Sequence, residues 1–509
     1  MNKGKMGRRQ FMMSSAAATG AMAFAGSAST GDQKSEAMEV DQILGDIGKA
    51  NKYNLIVIML DTLRKDHVGA YGNQWIKTPN LNKLASESII FNLAFPESLP
   101  TIPVRRGLHT GMRTFPFRSY QPVKGDNVRT PGWQPIPEGQ ITLAEILNYA
   151  GYRTAFITDT NHQFKPAMNF HRGFDQFTWI RGQESDKFSS VTPLPESEVE
   201  KYVSTQGGSR SVQWLAMYMA RWQHRTLEEE YMSPRVFTAA MRWLEQNRDA
   251  ERFFLLVDSF DPHEPWDPPY YYRDLYYPGY KGREVIVPRY GSSDYLTPDE
   301  LKYMRACYAA EVTMVDMWLG KFIDRAKQLG MLDETLLFLI SDHGHQLGEH
   351  GLVGKVPRGL YPELMDIPLF LRHPDGSGKG TLVDIFAQNH DIPPTALSLL
   401  GLKQPLKMDG MDLWPLISGD SGNPRSYVTS GHSNAAWYRD EEYVLLCTWQ
   451  GENPELYDLR KDPRQQNNIA DSNKALVKKL FSRIIADAGG PFPDYTRLLK
   501  DRSERWYLH

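Results

Sequence analysis

The chain has 509 residues, with 58 Lys plus Arg against 61 Asp plus Glu and a formal net charge of −3. That balance excludes a strongly basic nucleic-acid binder, and the length excludes a single small module. Two cysteines, Cys307 and Cys447, exclude a disulfide-rich scaffold and a cysteine-built metal centre, whereas 13 histidines and the many acids leave ligands for a harder cation.

The first thirty residues read as an address. Arg8-Arg9-Gln10-Phe11 precedes an uncharged stretch, Met12 to Ala28, rich in Ala, Met and Ser, and Ala23-Phe24-Ala25 suits small-residue cleavage. Paired arginines before a mild apolar run predict export by the twin-arginine route to the periplasm or the medium. Residues 31–50 are polar and acidic and read as a linker. No run of about 18 apolar residues follows, so no stable membrane insertion is expected.

From residue 51 strands and helices alternate. Asn54–Leu60 (NLIVIML) is a continuous apolar run, as in a strand buried on both faces. Ile89–Ala94 is a second strand. Thr142 and Glu145 form a capping box for a helix that runs to Gly151, and Arg153–Thr158 follows as a strand. Ser233-Pro234 opens another helix, and Phe253–Val257 is the next buried strand. Thr297-Pro298-Asp299-Glu300 combines cap, proline and acid, predicting a helix to about Leu329 with Gly330 as its stop. Thr335–Ile340 is again a buried strand. The alternation predicts an α/β domain over 51–419, a mostly parallel sheet flanked by helices. The Gly- and Pro-rich 125–139 and the tyrosine-rich 266–293 read as surface loops. Beyond about 420 the texture changes. Ser426–Thr429, Ala435–Arg439 and Tyr443–Cys447 are short runs separated by turn residues, and Asn473–Ala488 is an amphipathic helix, so 420–509 is expected to form a small α+β domain.

Ligands in open α/β sheets bind beyond the carboxyl ends of strands. Asp61 directly follows the first strand, and Asp342 with His343 follows Thr335–Ile340 and Ser341. Two carboxylates and an imidazole suit Ca²⁺, Mg²⁺, Mn²⁺ or Zn²⁺. Thr101 stands where a helix could open, with Pro103 in its first turn. The positive end of that helix would favour an oxyanion, and Arg105 lies one turn on.

The run Thr101-Ile102-Pro103-Val104-Arg105-Arg106-Gly107-Leu108-His109-Thr110-Gly111 resembles the sulfatase signature, in which a Cys or Ser occupies the first position. Pro103, Arg105, Leu108, Thr110 and Gly111 match. The resemblance extends to Asp61-Thr62-Leu63-Arg64, Thr78-Pro79-Asn80-Leu81, Gly173-Phe174-Asp175, Ser341 through Gly351 with Lys355, Asp391 through Thr395, Met408-Asp409-Gly410 and Leu456-Tyr457-Asp458-Leu459. It covers roughly residues 53–472. It implies the alkaline-phosphatase-like fold, one divalent cation held by Asp61, Asp342 and His343 with Ca²⁺ first in line, and hydrolysis of an ester of a small molecule or a glycan. It further implies that Arg105 and Lys355 bind the anionic group, and that His263, in Asp261-Pro262-His263-Glu264, assists the leaving oxygen.

Two departures stand against that pattern. Thr101 replaces the residue that sulfatases oxidise to formylglycine. The same oxidation of a threonine gives a ketone, so no formylglycine is expected. Threonine is the nucleophile in related phosphodiesterases, phosphoethanolamine transferases and lipoteichoic acid synthases, which points to phosphate or phosphonate esters beside sulfate esters. The second departure is Thr158-Asp159-Thr160-Asn161-His162, where many sulfatases have Gly-Lys-Trp-His. The lysine is missing, and His162 is displaced by one position. Water must cleave a threonine ester, activated by a second metal or by a base, and Asp159, His162 and Asp261 are the candidates to supply either. His345, His350 and Glu349 are weaker site candidates. Trp266, Tyr270, Tyr271 and Tyr272 could stack on a sugar or aryl ring. The alternative to an enzyme is a silent relative that binds anionic glycans.

Overall fold

The computed structural model describes Leu44, residues 47–118, Tyr120, and residues 130–164, 168–204, 209–420 and 422–494. The export signal and most of the 31–50 linker lie outside the described residues. Eight strands form the large sheet: β1 Asn54–Leu60, β2 Ile89–Phe95, β3 Arg153–Thr158, β4 Gln176–Trp179, β5 Phe253–Ser259, β7 Thr335–Ser341, β10 Leu369–Arg372 and β11 Leu382–Gln388. Their order is β11-β2-β10-β7-β1-β5-β3-β4, and only β10 runs antiparallel to its neighbours. Short β6 Gly291–Ser292, β8 Gln346–Leu347 and β9 Leu352–Gly354 make a separate three-stranded patch.

Helices of seven residues or more are α1 Pro79–Ser86, α2 Thr101–Thr110, α3 Leu143–Tyr149, α4 Ser209–Trp222, α5 Met232–Gln246, α6 Pro298–Gln328, α7 Ile392–Leu399 and α8 Lys474–Asp487. β1 is central and wholly buried, which is why its seven residues carry no polar alternation. Ile56, Ile58 and Leu60 pack with α1, α5 and α6 in the main core. Val57, with Phe254 and Leu256 of β5, faces Leu108 and His109 of α2 and Leu143 and Ala144 of α3 on the other side. α6 begins as its sequence dictates: Thr297 Oγ1 accepts the Glu300 N–H, Glu300 returns a bond to the Thr297 N–H, and Gly330 follows with φ +70°.

The C-terminal sheet is an antiparallel meander of β12 Tyr427–His432, β13 Ala435–Asp440, β14 Tyr443–Thr448 and β15 Glu455–Asp458. Its alternation serves two cores. Ala436, Tyr438 and Leu445 face Leu480 and Ile484 of α8. Trp437, Val444 and Leu446 face Phe95, Leu99, Leu364 and Met365 of the large domain. The Leu99 N–H donates to Gly431 O at 2.9 Å, so the segment leading into α2 is pinned by β12. Cys307 and Cys447 are buried free thiols. No helix among the described residues is long and apolar enough to cross a membrane.

Candidate active site

The register of the sheet builds the site. Leu60 stands level with Ser259 of β5 and Ser341 of β7, so Asp61 and Asp342 leave adjacent strands side by side. One oxygen or nitrogen from each of Asp61, Asp342 and His343 lies within 4.8 Å of the others, and all three side chains are fully buried. Local backbone holds them. Thr62 adopts φ +59°, a left-handed conformation costly for a β-branched residue, and its N–H donates to Asp342 Oδ1 at 2.9 Å. Gly344 permits the turn after His343, since a Cβ there would sit 2.0 Å from Glu363 O. His343 Nδ1 lies 2.9 Å from Gly344 O, which assigns it the proton and leaves Nε2 as a ligand.

The donors fit a cation. Neither oxygen of Asp61 accepts a well-formed hydrogen bond, and His343 Nε2 has none, although all three atoms are buried. Burial, and then repulsion from Asp342, push the Asp61 carboxyl well above the usual range. A buried anion beside another anion is unfavourable unless a positive charge joins them.

Thr101 is the first residue of α2, after Pro100 at the cap position. Its hydroxyl makes no hydrogen bond among the described residues, so it does not cap the helix. Gly107 lets α2 approach Asn389, whose Nδ2 would lie 2.6 Å from a Cβ at that position. Arg105 is buried and saturated. Its Nη1 lies 2.6 Å from Asp342 Oδ2, 3.0 Å from Asp61 Oδ2 and 3.2 Å from Thr101 O. Its Nε and Nη2 form a fork with Asp258 at 2.9 and 2.7 Å. Arg105, expected to grip the substrate anion, directs its donors here to protein carboxylates, and its Nη1 links the Thr101 carbonyl to the candidate metal ligands Asp61 and Asp342. Asp258 escaped the sequence reading because the strand was ended at Val257; a charge inside FFLLVDS was the available signal.

Lys355 Nζ is hydrogen-bonded to His263 Nε2, and His263 Nδ1 lies 2.7 Å from Glu264 O. Burial lowers the His263 pKa to about 4 against the opposing Glu264 charge, with Lys355 adding to the fall, so its Nε2 accepts from the lysine ammonium. Phe260 stacks on His263 with ring centres 4.0 Å apart. Glu264, which the sequence reading passed over, bonds the Tyr290 hydroxyl and lies 3.3 Å from His345 Nε2.

His162 Nε2 lies 3.0 Å from Glu184 Oε2, and the ring sits edge-on to Trp133. Asp159 and Asp261, the other candidate bases, are tied up. Asp159 Oδ1 accepts the Phe260 N–H at 2.7 Å, Asp261 Oδ2 accepts the Ser233 N–H at 2.9 Å, and Gln183 Nε2 reaches both.

Several candidates fall outside the constellation. Glu349 pairs with Arg64 at 3.0 Å, and His350 stacks on Tyr361. His345 meets the Trp266 ring edge-on and, among the described residues, touches the constellation only through Glu264. Trp266 is itself buried, its indole N–H on Pro262 O, so it stacks on protein and not on a ligand. Tyr272 is buried and bonds Glu228, whereas Tyr270 and Tyr271 are exposed.

Comparison with known proteins shows the family. The sulfatase family profile matches residues 53–402, and the profile for the C-terminal part of N-sulphoglucosamine sulphohydrolase matches residues 348–487. An arylsulfatase of Clostridium perfringens is 25% identical, covering 88% of this chain and 98% of that protein. A multifunctional alkaline phosphatase superfamily protein of Trinickia caryophylli is 26% identical over 85% and 94%. The solved phosphonate monoester hydrolase of Agrobacterium radiobacter superposes with a TM-score of 0.67 at 22% identity, covering 87% of this chain and 97% of that one. With its strand-end acids, its α2 signature and a profile match across most of its length, the chain belongs to the sulfatase family and is an ester hydrolase.

Proposed function

We propose that this sulfatase-family hydrolase is metal-dependent, uses unmodified Thr101 as its nucleophile, and turns over phosphate or phosphonate esters better than sulfate esters. The observation that carries the reading is the single Arg105 nitrogen that touches the Thr101 carbonyl and both candidate metal carboxylates. The names of an arylsulfatase, a multifunctional alkaline phosphatase superfamily protein and a phosphonate monoester hydrolase among its relatives support an anionic ester as substrate.

A divalent cation bound by Asp61, Asp342 and His343 would lower the pKa of a nearby hydroxyl and offset charge on the ester oxygens. Arg105 fixes the first turn of α2 and so the position of Thr101. The helix start adds positive potential where the hydroxyl becomes an alkoxide. Lys355 supplies a cation to the transferred group. His263 is neutral near pH 7, so the proton for the leaving oxygen comes from the Lys355–His263 pair and not from a lone imidazolium. We place the enzyme outside the cytoplasm, on the strength of Arg8-Arg9 and the stretch that follows.

The test compares wild type with Thr101→Ala on matched 4-nitrophenyl phosphate, phenylphosphonate and sulfate. The expected result is a phosphorus-over-sulfur preference and a loss beyond ~10³-fold in the variant. Unchanged turnover in Thr101→Ala, or a sulfate preference with the threonine unmodified, would overturn the reading.

A further inference from the structure

A threonine nucleophile leaves a problem that formylglycine does not have. Its ester lacks a second hydroxyl with which to expel the bound group, so water must cleave it. Asp159 and Asp261 each hold a backbone N–H and share Gln183, and both carboxylates are buried. His162 differs. Its side chain retains some exposure, its Nε2 meets Glu184 Oε2 at 3.0 Å, and its Nδ1 has no hydrogen-bond partner among the described residues.

Its contacts connect this imidazole, through one intervening residue or two, to α2 and to the Lys355–His263 pair. Its ring lies 6.1 Å from Phe260, whose other neighbour is His263 of the Lys355 pair at 4.0 Å. Its other contact, Trp133, adjoins Gly132, whose carbonyl accepts from Arg106 Nη1 and whose Cβ position would fall 2.9 Å from Pro103 Cγ. Both Pro103 and Arg106 belong to the helix that Thr101 opens. Thr160, two residues before His162, lies 3.4 Å from Arg105 Nη2 through its hydroxyl. Glu184 itself sits at φ +46°, a backbone conformation rarely adopted outside glycine, which is consistent with a side chain set for a particular partner.

We infer that Glu184 is a positioning residue that holds His162 with its proton on Nε2, so that Nδ1 serves as general base for hydrolysis of a Thr101 ester. In that step a bond forms between the water oxygen and phosphorus or sulfur, and the bond to Thr101 Oγ breaks. His162 Nδ1 takes one water proton, the other stays with the product, and the proton on His162 returns to Thr101 Oγ. No co-reactant besides water is consumed.

The inference rests on Thr101 as nucleophile, and the experiment separates the two. Rapid mixing with 4-nitrophenyl phosphate is followed by nitrophenolate release and by intact-protein mass, for wild type, Glu184→Gln, Glu184→Asp, His162→Asn and Thr101→Ala, with thermal melting as the folding control. Expected for Glu184→Gln and His162→Asn is a burst near one equivalent, a phosphorylated Thr101 peptide, and a steady-state rate lower by ~10²-fold or more, the usual scale of general-base catalysis. Glu184→Asp should recover part of the rate. If Glu184→Gln folds normally and matches wild type, or loses burst and steady state equally, while Thr101→Ala is inactive, the dyad is wrong and the nucleophile stands. If Thr101→Ala keeps its turnover, the nucleophile reading fails and takes the dyad with it.

Discussion

At the scale of single residues, the site is governed by how few positive charges serve how many buried acids. Asp61, Asp258 and Asp342 surround one guanidinium, and only Asp258 receives a full two-pronged contact. Both oxygens of Asp61 and the Nε2 of His343 are among the buried atoms left without a hydrogen bond. Asp61→Asn removes one buried negative charge next to Asp342. We expect bound metal after dialysis, read by elemental analysis, and ester turnover to fall together, by more than the ~10–100-fold typical of groups that only support a ligand. The variant should also melt higher than wild type once both are stripped with chelator, because the amide carries no charge for burial, and then Asp342, to disfavour as they disfavour the Asp61 carboxylate. Full activity in chelator-treated wild type would refute metal dependence.

At the scale of elements, what was legible in the sequence was whatever local chemistry decides. The α6 cap, the capping box at Thr142 and the buried runs of β1, β5 and β7 all stand where their residues dictate. The antiparallel β10 and the edge strands β4 and β11 were missed. Each is short or mixed in polarity, and each is defined by pairing with distant chain, as Phe370 is by Ile90 and Leu339. The same split applies to the site. Asp61, Asp342, His343, Lys355 and Thr101 sit in recognisable runs, but Glu184 and Asp258 acquire meaning only from partners 22 and 153 positions away. α2 links its start to its end in a testable way. His109 in its last turn lies edge-on to Phe156 and Phe170, and burial, aided by the Arg105 charge, lowers its pKa from 6.5 to about 3. Below pH 6.5 the unfolded chain takes up a proton that the folded ring refuses. The stabilisation is therefore complete above 6.5 and declines as pH falls toward 3. His109→Phe should narrow the change in stability between pH 7 and pH 4.5 relative to wild type; equal changes would show that His109 does not titrate in that window.

At the scale of the whole molecule, the proposed export and the seating of the C-terminal sheet make separate demands. If the paired arginines direct the folded enzyme outward, Arg8→Lys with Arg9→Lys should leave activity in the cytoplasmic fraction, and undiminished export would refute that route. Assembly concerns how the C-terminal sheet reaches the chemistry without contributing to it. β12 holds the Leu99 N–H through Gly431 O, and His432 Nε2 lies 3.2 Å from the carbonyl of Lys355. One strand thus braces both the approach to Thr101 and Lys355, the lysine proposed to bind the transferred group. Gly431 is the tight point, since a Cβ there would lie 2.4 Å from the Phe115 ring and 2.9 Å from Ala435 O. Gly431→Ala forces that contact apart and shifts β12 against Leu99. Misplacement of reacting groups by about 1 Å can cost ~10²-fold in rate, so kcat should drop by ~10-fold or more. Bound metal should stay at the wild-type level, because Asp61, Asp342 and His343 hang on β1 and β7 and not on the C-terminal sheet. Metal lost in proportion to kcat would mean that the substitution disturbs the large sheet, and an unchanged kcat would mean that the C-terminal sheet does not set the position of Thr101.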